Sequence, residues 1–241
     1  MARYFLEVSY RGTNYSGFQS QENANTIQQE VEQAFRTLQR ASVQLTSSSR
    51  TDAGVHALQN FFHFDFDAEL HSQFIYKINA ILPGDIVVKS LRAVDDDAHC
   101  RFDAISRTYE YFIYRGKDPF LQDRAWYFPY TINVEALQQA AQTLREYKDF
   151  TSFSKRNTQV KTFDCAIMEC GWSQQQNCLV FRVRANRFLR GMVRALVATM
   201  LQVGRGSLTI DEFRAIIDAK DCTRASFAAP AHGLFLVEVS Y

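Results

Sequence analysis

The chain has 241 residues, of which 46 % are hydrophobic and 22 % charged. That balance supports a buried core and excludes a disordered or fibrous polypeptide. A formal net charge of +1 argues against a uniformly basic surface, so any polyanion contact must rest on the local placement of cations.

Taken in chain order, residues 4–10 alternate as a strand, with Leu6, Val8 and Tyr10 on one face. The alternation starts so early that a signal peptide is not expected. Residues 11–25, rich in Gly, Asn, Ser and Gln, read as a loop. Thr26-Ile27-Gln28-Gln29 matches a capping box, and Ile27, Val31, Phe35 and Leu38 follow at helical spacing. A strand over 43–49 is expected to run into a loop at Arg50. Phe62, Phe64 and Phe66 alternate with His63, Asp65 and Asp67, the pattern of a half-buried strand. A helix over 74–80 ends before Pro83-Gly84, and a strand covers 86–94. Asp95-Asp96-Asp97 reads as a solvated turn.

Tyr109, Tyr111 and Ile113 mark the next strand, and Asn133 can cap a helix running through Leu137 and Leu144. Strands over 163–172 and 178–185 flank a turn at 173–177. A long helix is predicted over 188–203. Thr209-Ile210-Asp211-Glu212 is a second capping box, and a strand over 234–241 puts Phe235, Val237, Val239 and Tyr241 on one face. Helices and strands mix without strict alternation, which predicts an α+β fold. Tyr10-Arg11-Gly12 and Tyr114-Arg115-Gly116 close corresponding strands. This echo suggests two similar halves, 1–103 and 104–241.

The five cysteines are odd in number and form no C-x-x-C pair. A disulfide framework or structural zinc is therefore not expected, and a reducing cytosol is. No apolar run approaches the roughly 18 residues of a membrane span. His56 and His63 lack a third ligand, so no metal is expected. Arg182, Arg184, Arg187, Arg190, Arg194 and Arg205 fall within 182–205 with no acid among them. They form either a solvated helix face or a site for a polyanion, and mutual repulsion favours the second.

The segment Ser49-Arg50-Thr51-Asp52-Ala53-Gly54-Val55-His56-Ala57 lies between two predicted strands. Loops so placed present functional groups on a rigid scaffold. Small neighbours let a ligand approach Asp52, and Arg50 brings a fixed charge two residues away. An ordinary Asp-Gly turn remains an alternative. Arg50-Thr51-Asp52-Ala53-Gly54-Val55-His56 resembles the signature of the A-type tRNA pseudouridine synthases. Further segments are similar to that family in the same order: Gly12 to Gly17, Asn79 to Ile86, Arg101 to Ala104, Arg107 to Tyr111, Asp149 to Phe153, Asn186 to Arg194, and Gly233-Leu234. Ser49, Arg11 and Phe18 depart from it, standing where Gly, Asp and Trp are usual.

The resemblance implies the fold of that family: a mixed, largely antiparallel sheet built from two similar halves, with helices packed on one face. It implies isomerisation of a uridine inside tRNA, at positions 38 to 40 of the anticodon stem-loop. The uracil is detached at N1, turned, and rejoined through C5. No redox cofactor, metal or nucleotide is needed. Asp52 would be the nucleophile, suitably ionised from a reference pKa of about 3.9, and Arg194 its ion-pair partner. Tyr109 would stack on the flipped base. Arg50 and Leu234 would line the pocket, and Arg187 and Arg190 would meet RNA phosphates. By residue type alone, Tyr109 and Leu234 are equally core residues and Arg194 a surface charge or phosphate contact. The family works as cytoplasmic homodimers. A catalytically inactive RNA-binding module on the same fold and a hydrolase using Asp52 as base are the competing readings. Asp52, Tyr109 and Arg194 kept together argue against the first, and the lack of a paired carboxylate against the second.

Overall fold

Period-2 runs and capped amphipathic stretches become strands and helices in the computed structural model, which describes residues 2–156 and 160–241. Among these the order is β1 (Ala2–Tyr10), α1 (Ile27–Gln39), β2 (Thr46–Ser47), β3 (His56–Phe66), α2 (Phe74–Ile81), β4 (Ile86–Val94), β5 (Ser106–Tyr114), β6 (Trp126–Tyr127), α3 (Val134–Thr143), β7 (Ile167–Gln175), β8 (Cys178–Ala185), α4 (Met192–Gly204), α5 (Ile210–Asp218) and β9 (Leu234–Ser240). β1 pairs antiparallel with β3 and β4, and β8 antiparallel with β5 and β7, while β6 runs parallel to β5. The fold is α+β with mixed, mostly antiparallel pairing.

The chain divides into two units, Met1–Ile105 with Leu236–Tyr241, and Ser106–Phe235. The return of the C-terminus to the first unit is a packing event. The Tyr241 ring meets Phe5 and Phe61 at 5.3 and 5.2 Å, and its hydroxyl donates to the Cys100 carbonyl at 2.7 Å.

In the first unit the strand order is β4-β1-β3-β9, with β2 beside β3. Thr26 caps α1 by accepting from the Gln29 amide, an interaction worth about 1 kcal/mol. The Gln29 side chain reaches the Thr26 hydroxyl and the Gln21 carbonyl, so the expected reciprocal box is only half formed. Phe35 of α1 packs edge-on against Phe64 and Phe66 of β3. The strand expected over 43–49 shrinks to two residues. Beyond Ser48, whose N–H still donates to Phe61, the serines turn to local and side-chain partners. β3 is not half-buried as expected, because Phe61 and His63 are covered along with Phe62 and Phe64. His63 Nδ1 lies 3.1 Å from Cys100 Sγ, and burial, helped by the nearby His99 and Arg3, pulls its pKa down to about 4. The imidazole is therefore neutral at pH 7.

In the second unit the order is β5-β8-β7. Asn133 caps α3 and Thr209 caps α5, the latter with both arms of the box. β7 begins later than expected because residues 163–165 pair with 148–150 instead. It also extends through the predicted turn, which tightens to Gln176-Asn177, with Gln176 at φ +50°. The long helix starts at Met192, not at 188. Gly191 is left-handed (φ +76°), a conformation that ends the preceding turn and that Gly adopts without strain. All of α4 is buried except Arg194 and Gln202, so it is a core helix and not a solvated face. β9 lacks the single apolar face expected of it. Leu234, Leu236 and Val239 are buried, while Phe235 packs on Phe112 at 5.2 Å.

Candidate active site

Asp52 opens a tight turn in the first unit. The Val55 N–H donates to the Asp52 carbonyl at 3.2 Å, and Gly54 takes φ +78°. Asp52 is half-buried, Arg50 is exposed, and Ser49 and Thr51 are buried. The segment thus alternates between anchored and outward residues. A short carboxylate on a turn that emerges from buried anchors is well placed to meet a ligand.

Two other segments brace this turn. Gly12 packs so closely on it that a Cβ there would lie 2.0 Å from the Val55 carbonyl oxygen, so no larger residue fits without displacing the turn. The Gly12 N–H donates to His56 Nδ1 at 3.1 Å, and the Phe18 N–H to the Thr51 carbonyl at 3.1 Å. Asp85 accepts from the Tyr15 hydroxyl at 2.5 Å and from Asn14 at 3.3 Å. Burial and that carboxylate push the Tyr15 pKa well above the usual phenol value. Asn79 clamps Val88 with two bonds of 2.8 Å. The separate motifs around Gly12 and Asp85 are therefore one support for the Asp52 turn. Phe18 is fully buried and stacks on Phe62 at 4.7 Å, so its departure from the family pattern is a matter of core packing.

In the second unit Tyr109 sits half-buried on β5, with its ring edge-on to Phe188 at 5.0 Å. Arg194 is half-buried in the first turn of α4, and its Nε donates to the Ala229 carbonyl at 2.7 Å. The next carbonyl, Pro230, accepts from the buried Tyr111 hydroxyl at 2.8 Å. Burial raises the Tyr111 pKa, and the Arg194 charge opposes that rise. Leu234, which is buried, follows directly on the 3-10 turn Ala231–Gly233. Arg194, Tyr111 and the strand that carries Leu234 are thereby tied to one segment, 229–234. Sequence reading gave Tyr111, one of 11 tyrosines, no role of its own; its signals were its place in an alternating strand and its inclusion in the family-like segment Arg107 to Tyr111.

The arginines of 182–205 do not form one uncompensated patch. Arg182 pairs with Glu110 at 2.7 Å and lies 3.7 Å from Glu169, while Arg184 lies 3.8 Å from Glu169. These acids belong to β5 and β7, which the sheet brings alongside β8. Arg205 lies over the Tyr130 ring at 4.0 Å. Arg187 and Arg190 precede α4 instead of lying on it. Arg190 is exposed, and its carbonyl accepts from the Lys155 N–H. Lys155 thus joins this corner, an addition no spacing rule reveals. Asn186 shapes the approach, its side-chain oxygen accepting from Ala166 at 2.8 Å and from Arg187 at 2.9 Å.

His56 and His63 serve separate packing contacts, and among the described residues no group of three or more His, Cys, Asp or Glu could hold a metal ion. No helix among them is long and apolar enough to cross a membrane.

A family profile described as tRNA pseudouridine synthase matches residues 7–103 and 140–241. A tRNA pseudouridine synthase A of Parabacteroides distasonis is 46 % identical over 243 residues, covering 100 % of this chain and 96 % of that protein. One of Porphyromonas gingivalis is 45 % identical, covering 100 % and 98 %, and one of Staphylococcus carnosus 35 % identical, covering 98 % and 90 %. The Asp52 turn and both its braces lie inside the matched segments, as do Arg194 and Leu234, and the likeness to these relatives spans the rest: the chain belongs to the tRNA pseudouridine synthase family.

Proposed function

We propose that this protein isomerises uridine to pseudouridine in the anticodon stem-loop of tRNA, at positions 38 to 40, with Asp52 as nucleophile. The observation that carries the reading is the Asp52 turn, a carboxylate on a segment held by buried anchors and two bracing loops. In this scheme Arg194 is the ion-pair partner that aims the carboxylate. The flipped base stacks on Tyr109 and is covered by Leu234, while Arg50 contacts the RNA beside the nucleophile. Arg187 and Arg190, with Lys155 beside them, take phosphates. Isomerisation moves one carbon from N1 to C5 of the uracil, with a hydrogen leaving C5 and one arriving at N1. The chemistry balances without a cofactor. Incubation with unmodified total tRNA, followed by mapping at single-nucleotide resolution, should show pseudouridine at positions 38 to 40. Binding without any pseudouridine would favour an inactive RNA-binding module.

The proposal extends to a cytoplasmic homodimer. Once Arg182 and Arg184 are matched by acids, the remaining basic corner of one copy is small beside a tRNA, and a second copy related by a two-fold axis would double it. Light scattering at micromolar concentration should give about twice the 27.8 kDa of one chain. A mass near that of one chain would overturn the dimer.

A further inference from the structure

Beneath the Asp52 turn lies a polar network that the reaction chemistry does not itself require. Asn60, on β3, is 0 % exposed, beside the buried Phe61, Phe62 and Phe64 of the same strand. Its amide nitrogen donates to the Tyr10 hydroxyl at 3.2 Å and to the Ser49 carbonyl at 2.9 Å, and its oxygen accepts from the Phe61 N–H at 2.9 Å. Both amide hydrogens and the oxygen are used, which fixes the orientation of the side chain. The Tyr10 hydroxyl in turn shares a bond of 2.7 Å with Thr51 Oγ1. Tyr10, Ser49, Thr51 and Asn60 are all buried.

The network ends on Ser49 and Thr51, the residues on either side of the exposed Arg50, and Thr51 immediately precedes Asp52. Burying four polar groups is costly unless every one is bonded. An apolar set would pack here more simply, yet it would remove the anchors that Asn60 and Tyr10 give to Ser49 and Thr51, leaving the Phe18 N–H on the Thr51 carbonyl and the Val55 N–H on the Asp52 carbonyl. We propose that Tyr10 and Asn60 are positioning residues for the reaction: they hold the Asp52 carboxylate in line through Thr51 and Ser49. The inference rests on Asp52 being the nucleophile. It assigns no contact with RNA to Tyr10 or Asn60.

Tyr10→Phe removes the hydroxyl and keeps the ring that packs on Phe18 at 5.3 Å. Under single-turnover conditions with C5-tritiated tRNA, its maximal rate should fall about 10- to 100-fold, the scale of a small misalignment at a reacting centre. The half-saturating enzyme concentration should stay within about twofold, since every RNA-binding group is still present. Thr51→Val should behave alike, and Thr51→Ser, which keeps the hydroxyl, should restore most of the rate. The double variant Tyr10→Phe with Thr51→Val should be no slower than the slower single one, because both substitutions break the Tyr10–Thr51 bond. A purely structural role would instead lower the folded fraction and leave the rate per folded molecule unchanged. Wild-type rates per folded molecule in Tyr10→Phe and Thr51→Val overturn the inference, as do additive losses in the double variant. If Tyr10→Phe does not fold, the contrast between Thr51→Val and Thr51→Ser decides. Asp52→Asn serves as the reference. If it is inactive while Tyr10→Phe is not, only the positioning role fails; if it is active, the nucleophile assignment fails first.

Discussion

Asp52→Asn should keep the fold and tRNA affinity and reduce turnover by about a thousandfold or more, as removal of a covalent nucleophile does. The amide is nearly isosteric with the carboxylate, and the turn is held by its neighbours: the Thr51 and Ser49 anchors, the Gly12 backbone and the Val55 N–H. None of these anchors runs through the Asp52 carboxylate, so all of them remain in Asp52→Asn. Release of tritium from C5-labelled uridine in a single turnover reports the effect directly. A rate within about tenfold of wild type would remove Asp52 from the role of nucleophile.

The second large effect separates three arginines that are close in sequence. Arg194→Ala should lower turnover by about a hundredfold while changing tRNA binding little, because the proposed nucleophile would lose the guanidinium that aims it. Its side chain is half-buried and anchored through Nε to the Ala229 carbonyl, a geometry of placement rather than of reach. Arg187→Ala and Arg190→Ala should do the reverse. Each should weaken binding and flatten its salt dependence by about one unit of log–log slope for every phosphate no longer neutralised. Arg190 is exposed in the turn before α4, and Arg187 donates to Thr162 Oγ1 at 3.3 Å. Equal reductions of binding and rate in all three variants would show that this division is wrong.

Much of this protein is determined locally. Thr26, Asn133 and Thr209 announce their helices, because a capping side chain and its amide lie within one turn. β4 matches its predicted limits, since Pro83-Gly84 before it and Asp95-Asp96-Asp97 after it mark the turns at its two ends. The Arg50 to His56 motif locates the Asp52 turn and the family. Only the tertiary structure decided the rest, and in each case the deciding partner is distant in sequence. Glu110 and Glu169 neutralise Arg182 and Arg184 because β5 and β7 flank β8. Gly191 delays α4 by its backbone conformation, which composition does not encode, and burial on all sides of that helix hides the period on which amphipathicity is read. Tyr10, Thr51 and Asn60 converge through the pairing of β1 with β3. Local signals act over one helical turn or one strand alternation, whereas charge pairing, close backbone approach and buried polar networks depend on which surfaces meet once the sheet has formed.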